Sequence, residues 1–390
     1  MLRHSGVRRP GASPNLLLAA LLMLSAVACL VLLAPQRALA ASETYTVRDV
    51  PVEAKAESAA SAREVAFAKG QRDAFEHLIS RLVLSQDRSQ VPSLSDGEIT
   101  ELIEGFEVND EKVSPTTYRA SLTVSFQESQ INALLRRSGV GFAENRAKPV
   151  VIVPVTILED GPALWQEDNL WLYAWTARDV PGGLVPVIVP LGDAADISSL
   201  NAAQAVSGDA AALGSFAARY GAAEAVVAEA KITPPKGENG AALVELNVER
   251  VGAGKPESYV ERVRGAAGQP LEEVLALATD RVVTRLNESW KVANVIRYDS
   301  ESELRVVVPL AGLSNWVEVR RTLSELSQVS EVEVVALARS GADIVLHFYG
   351  AQGQLEAALH ERDLLLTPRP DGGYMLAPRS SPAGTTVGAL

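Results

Sequence analysis

Cysteine is all but absent: the chain of 390 residues has one, Cys29, and it lies in a segment that reads as an export leader. A chain cleaved after that segment has no thiol, which excludes thiol catalysis, thiolate metal sites and disulfides together. Histidine is nearly as scarce. The three outside the leader, His77, His347 and His360, stand at no ligand spacing from one another, and there is no His-Glu-x-x-His run. No Gly-x-Ser-x-Gly turn exposes a serine, and no glycine loop cradles a phosphate. Gly252-Ala253-Gly254-Lys255 is too short, lacks the following Ser or Thr, and reads as a hairpin turn. No catalytic residue, cofactor or metal is therefore expected. Acid pairs such as Glu159-Asp160, Glu272-Glu273 and Glu301/Glu303 read as solvated faces, and Asp371-Gly372-Gly373 as a turn without calcium-loop spacing.

The leader has a basic start (Arg3, His4, Arg8, Arg9) and an apolar run from Leu16 to Leu33. A break at Pro35 follows, then an Ala-x-Ala cleavage signal at Ala38 and Ala40 before Ala41. Export to a periplasm with cleavage is the leading expectation. The alternatives are an inner-membrane anchor formed by residues 16–33 and a lipoprotein acylated at Cys29. Loss of the first forty residues removes four arginines and no acid, carrying the formal charge from −12 to −16. Such a surface repels nucleic acid and anionic headgroups, so membrane contact is expected only through the leader.

The rest predicts an α+β and α/β multidomain chain: residues 1–40 as signal peptide, 42–145 as an α+β domain, 149–292 as an α/β domain, 301–378 as a ferredoxin-like domain and 379–390 as a disordered tail. In the first domain an extended run from Thr44 to Val52 precedes a long helix, about Ser58 to Leu84. There Ala62, Ala66, Gly70 and Ala74 put small residues on one face, permitting close approach to a neighbour. A capping box, Ser95-Asp96-Gly97-Glu98, starts a short helix carrying Ile99, Leu102 and Ile103. Strands Phe106 to Val113 and Tyr118 to Phe126 follow, then a helix around Gln130 to Arg137.

The second domain opens with Val150 to Leu158, a strand of the kind buried on both faces, with Pro154 as its awkward member. A helix over Trp165 to Trp175, a buried strand over Leu184 to Leu191 and a helix beginning at Gly192-Asp193 are expected next. Asp193 and Asp196 read as caps there. A helix from Ser207-Gly208-Asp209 to Tyr220-Gly221, three strands (Ala223–Ile232, Ala242–Val251, Ser258–Arg264) and a helix from Leu271 to about Trp290 complete it. The third domain runs β-α-β-β-α-β with one added hairpin: Leu304–Leu310, a helix capped by Ser314, a hairpin around Ser340-Gly341, a helix at Gly353–His360, then Leu364–Leu366 and Tyr374–Ala377. Two helices cover one face of such a sheet, so the other meets solvent or a partner.

Three of the five tryptophans, Trp165, Trp171 and Trp175, fall within eleven residues, with Trp171 and Trp175 on one helical face. They form a candidate contact surface, as domain-interface packing or, in the alternative, as a groove for a glycan or small ligand.

The order of motifs resembles a known family. The helix with Gly70-Gln71-Arg72-Asp73-Ala74, the strand YRASLTVSF at Tyr118–Phe126 with LLRRSGV after it, and PVVIVPV at Pro149–Val155 resemble the bacterial family catalogued as domain of unknown function 2066 (DUF2066). The LWQEDNLWLYAW, VPLGD and ARYGAAEAVVAEA stretches extend the likeness over most of 42–290. It implies an exported Gram-negative envelope protein with no assigned activity and carries over no catalytic residue. The run Ala211–Ala230 is similar to envelope α/β modules such as the amino-terminal domain of TolB and CsgG, which work through protein contacts. The functional expectation is a non-enzymatic periplasmic scaffold or accessory acting on other envelope proteins. A glycan- or small-ligand-binding protein is the alternative, and a carboxylate-based hydrolase the third reading.

Overall fold

A computed structural model describes residues 43–178, 182–237, 239–252, 257–299, 301–310, 312–370 and 372–378. The leader with Ala38, Ala40, Ala41 and Cys29, the tail from residue 379, and parts of the Gly252–Lys255 and Asp371–Gly373 turns lie outside them. Among the described residues, no helix is long and apolar enough to cross a membrane. From Thr44 onward they belong to one compact unit. It contains three sheets, ten α-helices among the described residues and a mixed α+β and α/β architecture.

The first sheet is antiparallel, in the order β1 (Thr46–Lys55), β3 (Thr117–Phe126), β2 (Ile103–Val113). On β3, Tyr118, Ala120, Leu122, Val124 and Phe126 alternate inward, the period-2 pattern of a sheet with one solvated face. Helix α1 (Ala59–Leu82) is capped by Ser58, whose side chain accepts from the Ser61 amide, and lays its small-residue stripe on this sheet. A Cβ at Gly70 would overlap Val52 Cγ1 and lie 2.6 Å from a Leu122 methyl, so only glycine fits the approach. Helix α2 (Asp96–Glu101) has both bonds of its capping box. Ile103 is not helical as expected from the sequence: Leu102 is the C-cap, and Ile103 opens β2 by pairing with Phe126. Helix α3 (Glu128–Arg137) closes the module.

The second sheet runs β5 (Gly161–Ala163), β4 (Val150–Leu158), β7 (Glu224–Thr233), β8 (Leu243–Gly252), β9 (Glu257–Arg264), with β6 (Val187–Ile188) beside the start of β4. β4 is parallel to β7 and buried on both faces. One face packs Val150 and Ile152 against α4 (Leu170–Thr176) and α8 (Leu271–Asn294). The other packs Val151, Val153 and Val155 against α6 (Ala202–Val206) and α7 (Ala210–Arg219), and the short α5 (Ala194–Ser199) precedes them. Pro154 is tolerated because the far edge of β4 is paired only at its ends, with β6 at Val150–Val151 and β5 from Thr156 to Leu158. β6 is far shorter than the expected Leu184–Leu191 strand. Pro186 and Pro190 flank it and lack the N–H that a ladder needs, and Leu191 is exposed. Leu184 joins the core of the first sheet instead.

The third sheet has the order β11 (Val329–Ala338), β12 (Gly341–Tyr349), β10 (Glu301–Pro309), β14 (Tyr374–Pro378), β13 (Leu364–Pro368). Helices α9 (Leu313–Ser324) and α10 (Gln352–Glu361) cover one face, where Trp316, Val319, Leu323, Leu355 and Leu359 meet Leu304, Val306, Ile344 and Leu346. In a plain ferredoxin-like sheet β13 would lie beside β10; here β14 is inserted between them, parallel to β10 and antiparallel to β13. The cap of α9 is Gly312 rather than Ser314, since Leu313 is already helical.

Candidate functional site

The tryptophan helix begins later than its sequence suggests. Asn169 caps α4 by accepting from the amides of Trp171 and Leu172, so Trp165 stays on the preceding bend. Asn169 is itself buried, accepts from Thr156 Oγ1 at 2.7 Å and donates to the Leu164 carbonyl at 2.9 Å. This fixes the direction in which α4 leaves the sheet. Trp171 and Trp175 then point inward, 0% and 1% exposed, edge to face at 5.6 Å. Trp171 Nε1 donates to the Ala228 carbonyl of β7 at 2.9 Å. Trp165 is half-buried against Phe216 and donates to the Leu200 carbonyl. The expected contact surface at Trp165, Trp171 and Trp175 is therefore corrected. The period of α4 puts two of the rings in the core of the second sheet, inside one module, while Leu170 and Tyr173 take the solvent side. A cleft of about 250 Å³ at the start of α4 is lined by Leu158, Asp168, Leu170, Ile232, Pro234 and Leu271 among others, with none of the three rings.

At the strand-to-helix turn, Asp193 caps α5 as read, accepting from the amides of Ala195 and Asp196, and these bonds hold its carboxyl below the usual range. Asp196, also read as a cap, lies within α5 and is not one. Fully buried, it accepts from the Gly192 amide at 2.9 Å, from Tyr220 Oη at 2.7 Å and from Arg219 Nη2 at 2.5 Å, tying α5 to the end of α7. The Arg219 and Tyr220 partners lie more than twenty residues away, which is why a sequence window shows only the cap.

The histidines are apart. His77 and His360 are exposed on α1 and α10. His347 lies on the uncovered face of the third sheet, its ring between Glu303 (3.8 Å) and Glu333 (3.5 Å) of the neighbouring strands. Among the described residues no group of three His, Cys, Asp or Glu is placed to hold a metal ion. The acid pairs Glu159-Asp160, Glu272-Glu273 and Glu301/Glu303 are exposed.

Two features stand out as surfaces. The first is β11, an outer strand of the third sheet on which Val334, Val335 and Leu337 are 39%, 63% and 47% exposed. Register shifts at Val329/Glu331 and Val334/Ala336 bend it, and Glu331 and Glu333 flank the apolar stretch. The second is the set of seams between cores. Ile296 and Phe142 exchange backbone hydrogen bonds, and Phe142 stacks on Tyr298, which meets Tyr349 of β12 edge on. Beside this seam is a polar cleft of about 680 Å³ between α3 and the end of α9, lined by Glu128, Asn132, Arg136, Glu325 and their neighbours. Burial and the nearby Glu144 push the Glu128 carboxyl up. At the other seam, Lys291 of α8 is 1% exposed; its Nζ donates to the carbonyls of Ser80 and Val83 at the end of α1 and pairs with Glu288 at 2.7 Å.

Residues 41–144 match the family described as domain of unknown function (DUF8605). This overturns the resemblance to domain of unknown function 2066, a different family. The motifs behind that resemblance, a small-residue helix face and an alternating strand, are what any helix laid closely on a three-stranded sheet requires. No match is found among curated proteins. Similar solved structures include a PelC dodecamer from Paraburkholderia phytofirmans, 14% identical over 37% of this chain and 90% of that one, with a TM-score of 0.24. Lipoprotein GNA1162 from Neisseria meningitidis is 13% identical over 36% of this chain and 98% of that one, also with a TM-score of 0.24. The likeness of Ala211–Ala230 to TolB and CsgG is not upheld either, because a helix ending in glycine before a strand is common to many α/β modules.

Proposed function

We propose that this chain is an exported envelope protein that acts by protein–protein contact, with the third sheet as its docking element. The observation that carries the proposal is the outer strand β11, ten residues long, with Val334, Val335 and Leu337 exposed beside unpaired backbone groups of a sheet edge. An edge of this kind accepts an extended segment of another chain: backbone hydrogen bonds supply affinity and alternate side chains supply register. The net charge of −12, with Glu331 and Glu333 on the strand itself, favours a basic segment and speeds its encounter. The basic start, apolar run and Ala-x-Ala signal of the first forty residues support the envelope as the place of work.

Photo-crosslinking in living cells tests this. A photoreactive residue replacing Val335 is expected to give one dominant product with an envelope protein, mapped by mass spectrometry to an extended basic segment. With the probe kept at Val335, Leu337→Arg on the same strand sets a positive charge against a basic segment and should reduce that product with circular dichroism unchanged. A yield at Val335 no higher than at Val292, which is 66% exposed on α8, would overturn the reading.

A further inference from the structure

The seam between α1 and α8 holds a cleft of about 430 Å³ whose chemistry differs from the rest of this acidic chain. Arg81 comes from α1, Arg88 from the turn after it, Arg178 from the segment after α4 and Lys291 from α8; among the described residues the acids lining the cleft are Asp280 and Glu288. Both acids are engaged. Glu288 takes Lys291, Arg88 and the Ser85 hydroxyl, and Asp280 takes Arg178 Nε at 2.7 Å. That leaves donors over. The Arg178 side chain is only 10% exposed, and its Nη1 is buried with no hydrogen-bond partner among the described residues. Nε of Arg88 is in the same condition. A buried guanidinium N–H without an acceptor has lost its water and gained nothing in exchange, so the fold holds these donors at a cost that an acceptor would remove. The cleft has the volume of an ordinary small-ligand site. Gly183 and Asn287 are among its lining residues, and a Cβ at Gly183 would collide with the Asn287 side-chain amide.

We propose that this cleft binds a small molecule through an oxyanion, a phosphate or carboxylate group held by Arg178 and Arg88. Guanidinium groups match such acceptors in geometry as well as charge. The site is independent of β11, and either can fail without the other. Burial, above all, and the nearby Arg146 and Arg48 lower Arg81 to about 10.

Titration calorimetry of the purified protein at constant ionic strength, with inorganic phosphate, citrate and chloride as probes, tests the proposal. Saturable binding of phosphate or citrate is expected, the tighter of the two naming the ligand's anionic group, with no saturable response to chloride. Arg178→Gln should weaken it by at least about tenfold. Arg88→Gln, nearer the surface, should weaken it by a smaller factor and gives the readout if the first variant does not fold. Arg262→Gln, on an exposed pair with Glu245, should leave it unchanged. Equal responses to all three ions, no saturable binding of any of them, or binding unchanged in both Arg178→Gln and Arg88→Gln would overturn the site.

Discussion

Gly70 is where one residue decides a packing distance. Alanine would gain roughly 1 kcal/mol of helix propensity there, but its methyl would overlap Val52 and Leu122, and overpacking costs about 1–3 kcal/mol. Gly70→Ala should therefore lower stability in urea denaturation, and Val52→Ala in the same chain should recover part of the loss. Gly214 of α7, exposed with nothing within 4 Å of a built Cβ, should respond oppositely, with Gly214→Ala stabilising by about 0.5–1 kcal/mol. The role of Gly70 is legible in the sequence, because Ala62, Ala66, Gly70 and Ala74 recur at the helical period. The unpartnered donor on Arg178 is not, because its surroundings come from α8, about a hundred residues on.

At the scale of elements, α4 shows what a cap controls. Asn169→Ala removes the acceptor for two helix amides and for Thr156, and the donor to Leu164. A loss of about 2–4 kcal/mol is expected, with a red shift in tryptophan emission as Trp171 and Trp175 loosen. The sequence shows the paired helical face of these two rings. It does not show that the helix starts at Leu170, since an asparagine inside an aromatic run reads equally well as an interior residue. β4, β7 and β8 are legible because continuous apolar or alternating runs have one interpretation at that length. β6 is not, because its apolar run overstates a ladder that two prolines cut short. The insertion of β14 is hidden for another reason: chain order gives the elements, whereas sheet order depends on which edge the last hairpin meets.

For the whole molecule, the first and second cores are held together by the Lys291–Glu288 pair and its carbonyl partners. Lys291→Ala leaves two helix-end carbonyls without their donor and Glu288 paired with Arg88 alone; a loss of about 3 kcal/mol is expected, together with unfolding in more than one step. The pair also sets an acid limit. Burial acts to raise the Glu288 carboxyl, but the hydrogen bonds from Lys291 and Ser85 outweigh it and hold it below its ordinary value of 4.5. A carboxyl depressed in the folded state contributes stability that is present above the unfolded value and is lost as pH falls through the folded one. Stability of Glu288→Gln should accordingly fall less steeply than that of the wild type as pH drops below about 4.5. The position of β14 has its own consequence for how the molecule comes into being. A chain delivered from its amino terminus presents β10 about sixty-five residues before the strand that pairs with its second edge, and β13 has no neighbour until that strand arrives. The third sheet thus cannot be completed before the last strand is delivered, and its closure joins the oldest and newest strands of the module.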